Sequence, residues 1–256
     1  MTNVEEDRTG AYYDDFLKKR MVHYRINGNL RIEAAARLLE SVVRDGFAVA
    51  DLGCGIGIIV ERLGKRFPRA KVIGVDISAA NIEYARKTIS LSNVKFIQAS
   101  VTEQFERLLD LCPGGFDAIS LIDVIEHIPV GQRQHLFENI SKLTTREAIL
   151  VITYPSPEYQ RYLLENNQSE LQLIDNIVEP HELLTEVAPF GWKLRYFSYV
   201  DVWRHNQYIH VVFSRSIHRT PMQRVSPTFW QKVKRRIDRA VFRPFRIRKY
   251  AVRPFL

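Results

Sequence analysis

The sequence predicts an α/β fold, a mostly parallel sheet with helices on both faces, and three observations carry that prediction. Ala48-Val49-Ala50-Asp51-Leu52 is a short apolar run that ends in a glycine turn, Gly53-Cys54-Gly55-Ile56-Gly57. Val72-Ile73-Gly74-Val75-Asp76 is a second such run, and its acid lies 25 residues beyond Asp51. From there apolar strands and amphipathic helices alternate at the spacing of βα units as far as residue 153.

Taken in order, residues 11–21 and 28–44 read as helices; in the second, Leu30, Ala34, Leu38 and Val42 repeat at i+4. Strand one is Phe47–Leu52, and a helix opens at Gly57 with Ile58, Ile59 and Leu63 facing the sheet. Strand two is Lys71–Asp76, after which Ser78 is an N-cap for a helix running to Ser90. Strand three is Val94–Gln98, with a helix near 102–111 and a turn at Pro113-Gly114-Gly115. Strand four is Phe116–Ile122, a helix covers 131–143, and strand five is Ala148–Thr153. Residues 154–178 are aromatic and amide-rich without a clean strand, and read as an insertion that covers the site. A helix restarts at Glu182–Val187, Pro189–Trp192 turns, and Lys193–Val200 and Gln207–Ser214 read as paired strands.

The glycine turn lets the backbone bend sharply and approach a ligand where a Cβ would clash. Asp76 stands where the second strand of a βαβ unit presents a carboxylate to ribose hydroxyls, so the ligand contains a nucleoside. The dinucleotide fingerprint wants G-x-G-x-x-G with pyrophosphate on the helix N-terminus. Here the spacing is G-x-G-x-G, and Asp51 stands two places before the first glycine. A carboxylate there repels phosphate and suits a cationic amino or sulfonium group.

Asp51-Leu52-Gly53-Cys54-Gly55-Ile56-Gly57, Val72–Asp76 and the later Phe116-Asp117-Ala118-Ile119, in that order and spacing, resemble the class I S-adenosylmethionine-dependent methyltransferases over residues 25 to 215. The resemblance implies a Rossmann-like seven-stranded sheet, mostly parallel, that closes with a C-terminal antiparallel hairpin. It also implies S-adenosylmethionine as cofactor, with Asp51 and Gly53, Cys54, Gly55 and Gly57 on the methionine part and Asp76 on the ribose. Ile77 would pack on the adenine, and Ser100 and Val101 would sit beside it, a serine hydroxyl replacing the usual Asp.

Asp123-Val124-Ile125-Glu126-His127 resembles the ubiquinone-type and related small-molecule O-methyltransferases, as does Asn29-Leu30-Arg31 with its extra upstream residue. By that likeness Arg31 contacts the cofactor's carboxylate; read from the residues alone it is an exposed cation on an amphipathic helix. His127 is the candidate base, because an imidazole can take the proton of an acceptor hydroxyl near neutral pH. Asp123 and Glu126 either orient it or join it around a divalent cation that lowers the acceptor's pKa, and Asp123 also suits the methionine amine. His181, after the insertion, is a second candidate base, with helix initiation as its other role. The implied activity is O-methylation of a small or lipid-linked hydroxyl, on a glycan, phenolic or polyketide.

Composition limits the alternatives. Two cysteines suggest no disulfide framework and a reducing compartment, and the acidic start and lack of a long apolar run point to a cytoplasmic protein. Residues 219–256 hold 12 of the 37 Lys and Arg but only Asp238 of the 29 acids, leaving 25 bases against 28 acids elsewhere. The catalytic region therefore has no polyanion-binding signature. In Thr228–Phe242, Phe229, Val233, Ile237 and Val241 recur at i+4 opposite Lys232, Lys234, Arg235, Arg236 and Arg239. Such a basic amphipathic segment fits an anionic membrane surface contacted through 228–253, and so a peripheral place on the inner face. Docking onto protein and binding nucleic acid are its other readings; an RNA or protein methyltransferase, or a non-catalytic cofactor-binding partner, are the rival functions. The Asn/Asp-Pro-Pro-Tyr/Phe motif of amino-methylating enzymes is absent after strand four. The expected organisation is a helical cap over 1–45, a methyltransferase domain over 46–218 with a lid at 154–178, and a basic tail over 219–256.

Overall fold

The computed structural model describes residues 22–102, 106–172 and 174–216, and in addition Val233, Arg236, Ile237, Ala240 and Val241. The chain divides into two units, Met1–Ile217 and His218–Leu256. In the second, Val233, Arg236 and Ile237 are helical. The rest of the basic tail and the helix expected at 11–21 lie outside the described residues.

In the first unit seven strands form one sheet in the order β3-β2-β1-β4-β5-β7-β6. They are β1 Ala48–Leu52, β2 Lys71–Asp76, β3 Val94–Gln98, β4 Phe116–Ile122, β5 Thr144–Pro155, β6 Lys193–Val200 and β7 Tyr208–Ser214. The first five run parallel, and β7 enters antiparallel between β5 and β6. The chain order reverses between β1 and β4, so a ligand crevice opens at the carboxyl ends of those strands.

The strands are buried on both sides because helices cover both faces. Along β1 the residues alternate: Ala50 and Leu52 join a core with Ile119, Leu121, Leu150 and Ile152. Helices α6 (Val130–Leu143) and α8 (Pro180–Val187) close that side with Leu136, Phe137, Ile140, Leu183 and Val187. Val49 faces the other way, with Val72, Ala118 and Val151. There α2 (Leu30–Val42), α3 (Ile58–Arg66) and α4 (Ala79–Thr88) supply Leu39, Leu63 and Ile82. Truncating a fully buried leucine such as Leu63 to alanine costs about 2–5 kcal/mol. Two short helices, α1 (Val22–Asn27) and α5 (Glu106–Leu111), complete the unit's edges.

Two expectations are corrected. Strand five begins at Thr144 and runs on to Pro155, because β7 pairs with it as far as Pro155↔Tyr208. The stretch after it is not a loop: Pro157–Asn166 forms α7. Ser156 caps α7 by accepting from the Tyr159 amide at 3.2 Å, Pro157 sits in its first turn, and Gln160 and Leu163 are buried beneath it.

Candidate active site

Local sequence places each wall of the crevice. Gly53, Gly55 and Gly57 all hold positive φ, at 78°, 53° and 76°. A Cβ on Gly53 would lie 2.4 Å from Val124 Cγ2, and one on Gly57 2.7 Å from the Phe96 ring. The close approach that requires glycine is thus to the protein's own side chains, and Gly57 serves as the left-handed N-cap of α3. The turn is pinned to β2 by the Gly53 and Cys54 amides, which donate to the Val75 carbonyl at 2.8 and 2.9 Å.

Asp76 closes β2 with one carboxylate oxygen accepting from the Gly55 amide at 2.7 Å. Its other oxygen accepts from the Ser78 amide and from Asn81 Nδ2, at 2.9 and 3.2 Å. Asp51 is buried under the turn and accepts from Ser120 Oγ at 2.6 Å. Burial pushes its pKa up to about 7; the Ser120 bond works against that rise and nearby Asp76 adds to it.

A third carboxylate comes from Asp123, which takes φ 55° just after β4. This left-handed backbone is unusual for a residue with a Cβ and is tolerated best by Asp and Asn. It is fixed by β5: the Asp123 amide donates to the Thr153 carbonyl at 2.9 Å, and Thr153 Oγ1 donates to Asp123 Oδ1 at 3.1 Å. Arg31 Nε pairs with Asp123 Oδ2 at 3.0 Å. Arg31 is delivered by α2, whose N-cap Asn29 accepts from the Arg31 and Ile32 amides. Its guanidinium lies over the Tyr208 ring, 5.6 Å from the centroid.

One cavity collects these groups. It is lined by Arg31, Asp51, Gly53, Cys54, Gly55, Asp76, Ile77, Ser100, Val101, Asp123 and His127, all of them expected from the sequence. Gly57 and His181 do not line it; His181 is exposed in the first turn of α8. Ser100 Oγ bonds Thr102 Oγ1 at 3.0 Å.

His127 enters from a short 3-10 turn over Ile125–His127. Its Nδ1 lies 2.6 Å from the Ile174 carbonyl, which only accepts, so in the neutral ring Nδ1 carries the proton and Nε2 the lone pair. Nδ1 is 3.4 Å from Asp175 Oδ1 and Nε2 is 3.8 Å from Glu126 Oε1. Burial lowers the His127 pKa despite Asp175, and burial together with Asp123 raises that of Glu126. The segment after α7 is tied over this turn: the Asn176 amide and side chain donate to the Glu126 carbonyl at 2.8 and 3.0 Å.

Asp123, Glu126 and His127 do not form the cation site the sequence left open. Among the described residues no three His, Cys, Asp or Glu side chains converge as metal ligands. The carboxylate of Asp123 is turned instead onto Arg31 and Thr153.

Sequence reading missed Asn81, Gln132 and Gln172, which also line the cavity, and Thr153 and Tyr208 behind it. Asn81 alone had a local signal, its position three residues after the Ser78 cap.

Comparison with known proteins agrees with this geometry. Residues 49–147 match the family described as "Methyltransferase domain". A trans-aconitate 2-methyltransferase of Rhodopseudomonas palustris is 32% identical over 158 residues, 61% of this chain and 46% of that protein. A ubiquinone biosynthesis O-methyltransferase of Alkalilimnicola ehrlichii is 31% identical over 100 residues, 39% of this chain and 38% of its own length. The chain thus spans less than half of each of these two relatives. Among solved structures, the magnesium protoporphyrin IX methyltransferase of Synechocystis with bound S-adenosylhomocysteine superposes with a TM-score of 0.63 at 16% identity. That match covers 82% of this chain and 99% of that one, and shows the shared fold. Fold and family together define a nucleoside-cofactor α/β protein. Over residues 49–147 the chain carries a methyltransferase domain, of the kind that class I S-adenosylmethionine-dependent methyltransferases share.

Proposed function

We propose that the chain O-methylates a small-molecule or lipid-linked hydroxyl, with His127 as the base. The observation that carries this is the placement of His127: it lines the cavity, and its Nδ1 lies 2.6 Å from the Ile174 carbonyl, so a neutral ring that donates there has Nε2 as its accepting nitrogen. The cavity fits S-adenosylmethionine chemically. Three carboxylates, Asp51, Asp76 and Asp123, suit its ammonium, sulfonium and ribose hydroxyls, and Arg31 suits its carboxylate. Ile77 and Val101 offer apolar surface to the adenine.

When bound, the cofactor supplies a methyl group on a positively charged sulfur. The cavity wall would hold the acceptor hydroxyl toward that methyl group, and His127 Nε2 would take the hydroxyl proton as the oxygen is methylated. Ile174 and Asp175 hold the imidazole in position through Nδ1. Residues 154–178 act as a cover over the acceptor, a reading supported by Gln172 lining the cavity and by the bonds from Ile174 and Asn176 to the His127 turn. The basic tail is assigned to an anionic membrane surface on the strength of its composition; among the described residues no helix is long and apolar enough to cross a membrane.

The test is release of S-adenosylhomocysteine with neutral phenols and alcohols as acceptors. His127→Ala should lower kcat by about 10²–10⁴ while the cofactor dissociation constant stays within about threefold. Unchanged kcat would remove His127 from the chemistry. Flotation with vesicles of anionic lipid, lost on deleting 219–256, checks the membrane assignment; binding to RNA lost by the same deletion would favour the rival.

A further inference from the structure

Resting on the reading of this cavity as a methyltransferase site, we infer that Gln132 and Gln172 read an acceptor that is neutral and offers hydrogen-bond donors besides the hydroxyl that faces His127, and that the site rejects carboxylates.

The argument starts from the charges. Among the described residues lining the cavity, Arg31 is the one permanent cation, against Asp51, Asp76 and Asp123. Arg31 is already paired with Asp123 at 3.0 Å, and any cofactor carboxylate would engage the same guanidinium. An acceptor carboxylate would therefore leave water for a space with three acids and no uncommitted cation. Neither its desolvation nor its repulsion would be offset.

The uncharged polar atoms point the other way. Gln132 Oε1 and Gln172 Oε1 are both shielded from solvent, and neither has a hydrogen-bond partner. Both side chains line the cavity. Gln132 comes from the first turn of α6, tied back by its amide to the Pro129 carbonyl at 2.8 Å. Gln172 comes from the segment that Ile174 and Asn176 fasten over Glu126 and His127. The two carbonyls thus belong to the same cavity wall as the base. A buried acceptor without a donor costs on the order of 1–3 kcal/mol, a cost that an incoming O–H or N–H would remove. Ile122, Val124, Ile128 and Pro129 make the surrounding wall apolar.

This favours an aromatic or aliphatic hydroxyl over an acid. It makes Gln132 and Gln172 the specificity-determining residues. A site built to hydrogen-bond its substrate also discriminates strongly against analogues that lack the donor.

The test uses 1,3,5-trihydroxybenzene, a phenol with hydroxyls beyond the one that faces His127, and benzoate; the two share a ring and differ in carrying neutral donors or a carboxylate. Saturation-transfer NMR measures each on protein saturated with S-adenosylhomocysteine, with loading verified by calorimetry. The triol should give a signal at least fivefold above benzoate. Gln132→Ala and Gln172→Ala should each reduce the triol signal severalfold, and Gln132→Glu, which keeps an accepting oxygen, should restore it. Benzoate binding as well as the triol, neither binding, or triol binding unchanged in both alanine variants would overturn the inference. Failure of S-adenosylhomocysteine to load would instead overturn the reading of the cavity on which it rests.

Discussion

Asp51 gives the account its most quantitative exposure. Its carboxyl has a pKa of about 7 in the ligand-free protein, because burial penalises the charged form. Only the ionised form attracts a cationic ammonium, so binding has to take the proton off. With a pKa near 7, about one molecule in ten is ionised at pH 6 and about nine in ten at pH 8. Affinity for S-adenosylhomocysteine should then rise about tenfold across that range, or about 1.4 kcal/mol. At pH 6 binding should release close to one proton. Calorimetry at pH 6, 7 and 8, in buffers of different ionisation enthalpy, reads both quantities. Asp51→Asn should bind more weakly and lose this dependence. A flat wild-type profile, or an Asn variant that keeps the slope, would refute the placement of the ammonium on Asp51. The same shift has a stability consequence of opposite sign. Between pH 4 and 7 the folded state holds a proton the unfolded chain has lost, so wild-type stability falls as pH rises through that window. Ligand-free Asp51→Asn should therefore melt higher than wild type at pH 8 and show little difference at pH 4.

Two further outcomes follow from contacts in the site. Gly57→Ala combines φ 76° with a Cβ 2.7 Å from the Phe96 ring and 2.9 Å from Ile89 Cδ1. Urea unfolding should show a loss of about 2–4 kcal/mol; a loss below about 0.5 would mean the turn can relax. Arg31→Met removes the partner of Asp123 and the cation assigned to the cofactor's carboxylate. It should weaken S-adenosylhomocysteine by about 10- to 100-fold, and a change under twofold would place that carboxylate elsewhere.

The parts legible in the sequence were those set by local periodicity and by single-residue backbone demands. Apolar runs of strand length gave β1 to β4, and the positive φ at Gly53, Gly55 and Gly57 bears out the sharp turn read from their spacing. Arg31 is placed at the cofactor by the resemblance alone, the residues themselves reading as an exposed cation; the structure delivers it through the Asn29 cap of α2. What stayed hidden depends on contacts between distant segments. Nothing near Asp123 announces φ 55°, since the backbone and hydroxyl bonds that hold it come from Thr153. Tyr208 meets Arg31 across 177 residues. The Ser156-Pro157 start of α7 was readable as a cap followed by a first-turn proline, but the aromatic and amide content around it masked the helical spacing of its buried residues. His127's tautomer depends on a carbonyl 47 residues away.

The central claim is that the crevice beyond β1 and β4 holds S-adenosylmethionine in one orientation. A crystal structure of the complex with S-adenosylhomocysteine tests it most directly. The account predicts ribose hydroxyls on Asp76, the amino acid end between Asp51 and Arg31, and adenine against Ile77. Its sulfur should face the space bounded by His127, Gln132 and Gln172. A ligand bound with its adenine on the Arg31 side, or outside the crevice altogether, would contradict it.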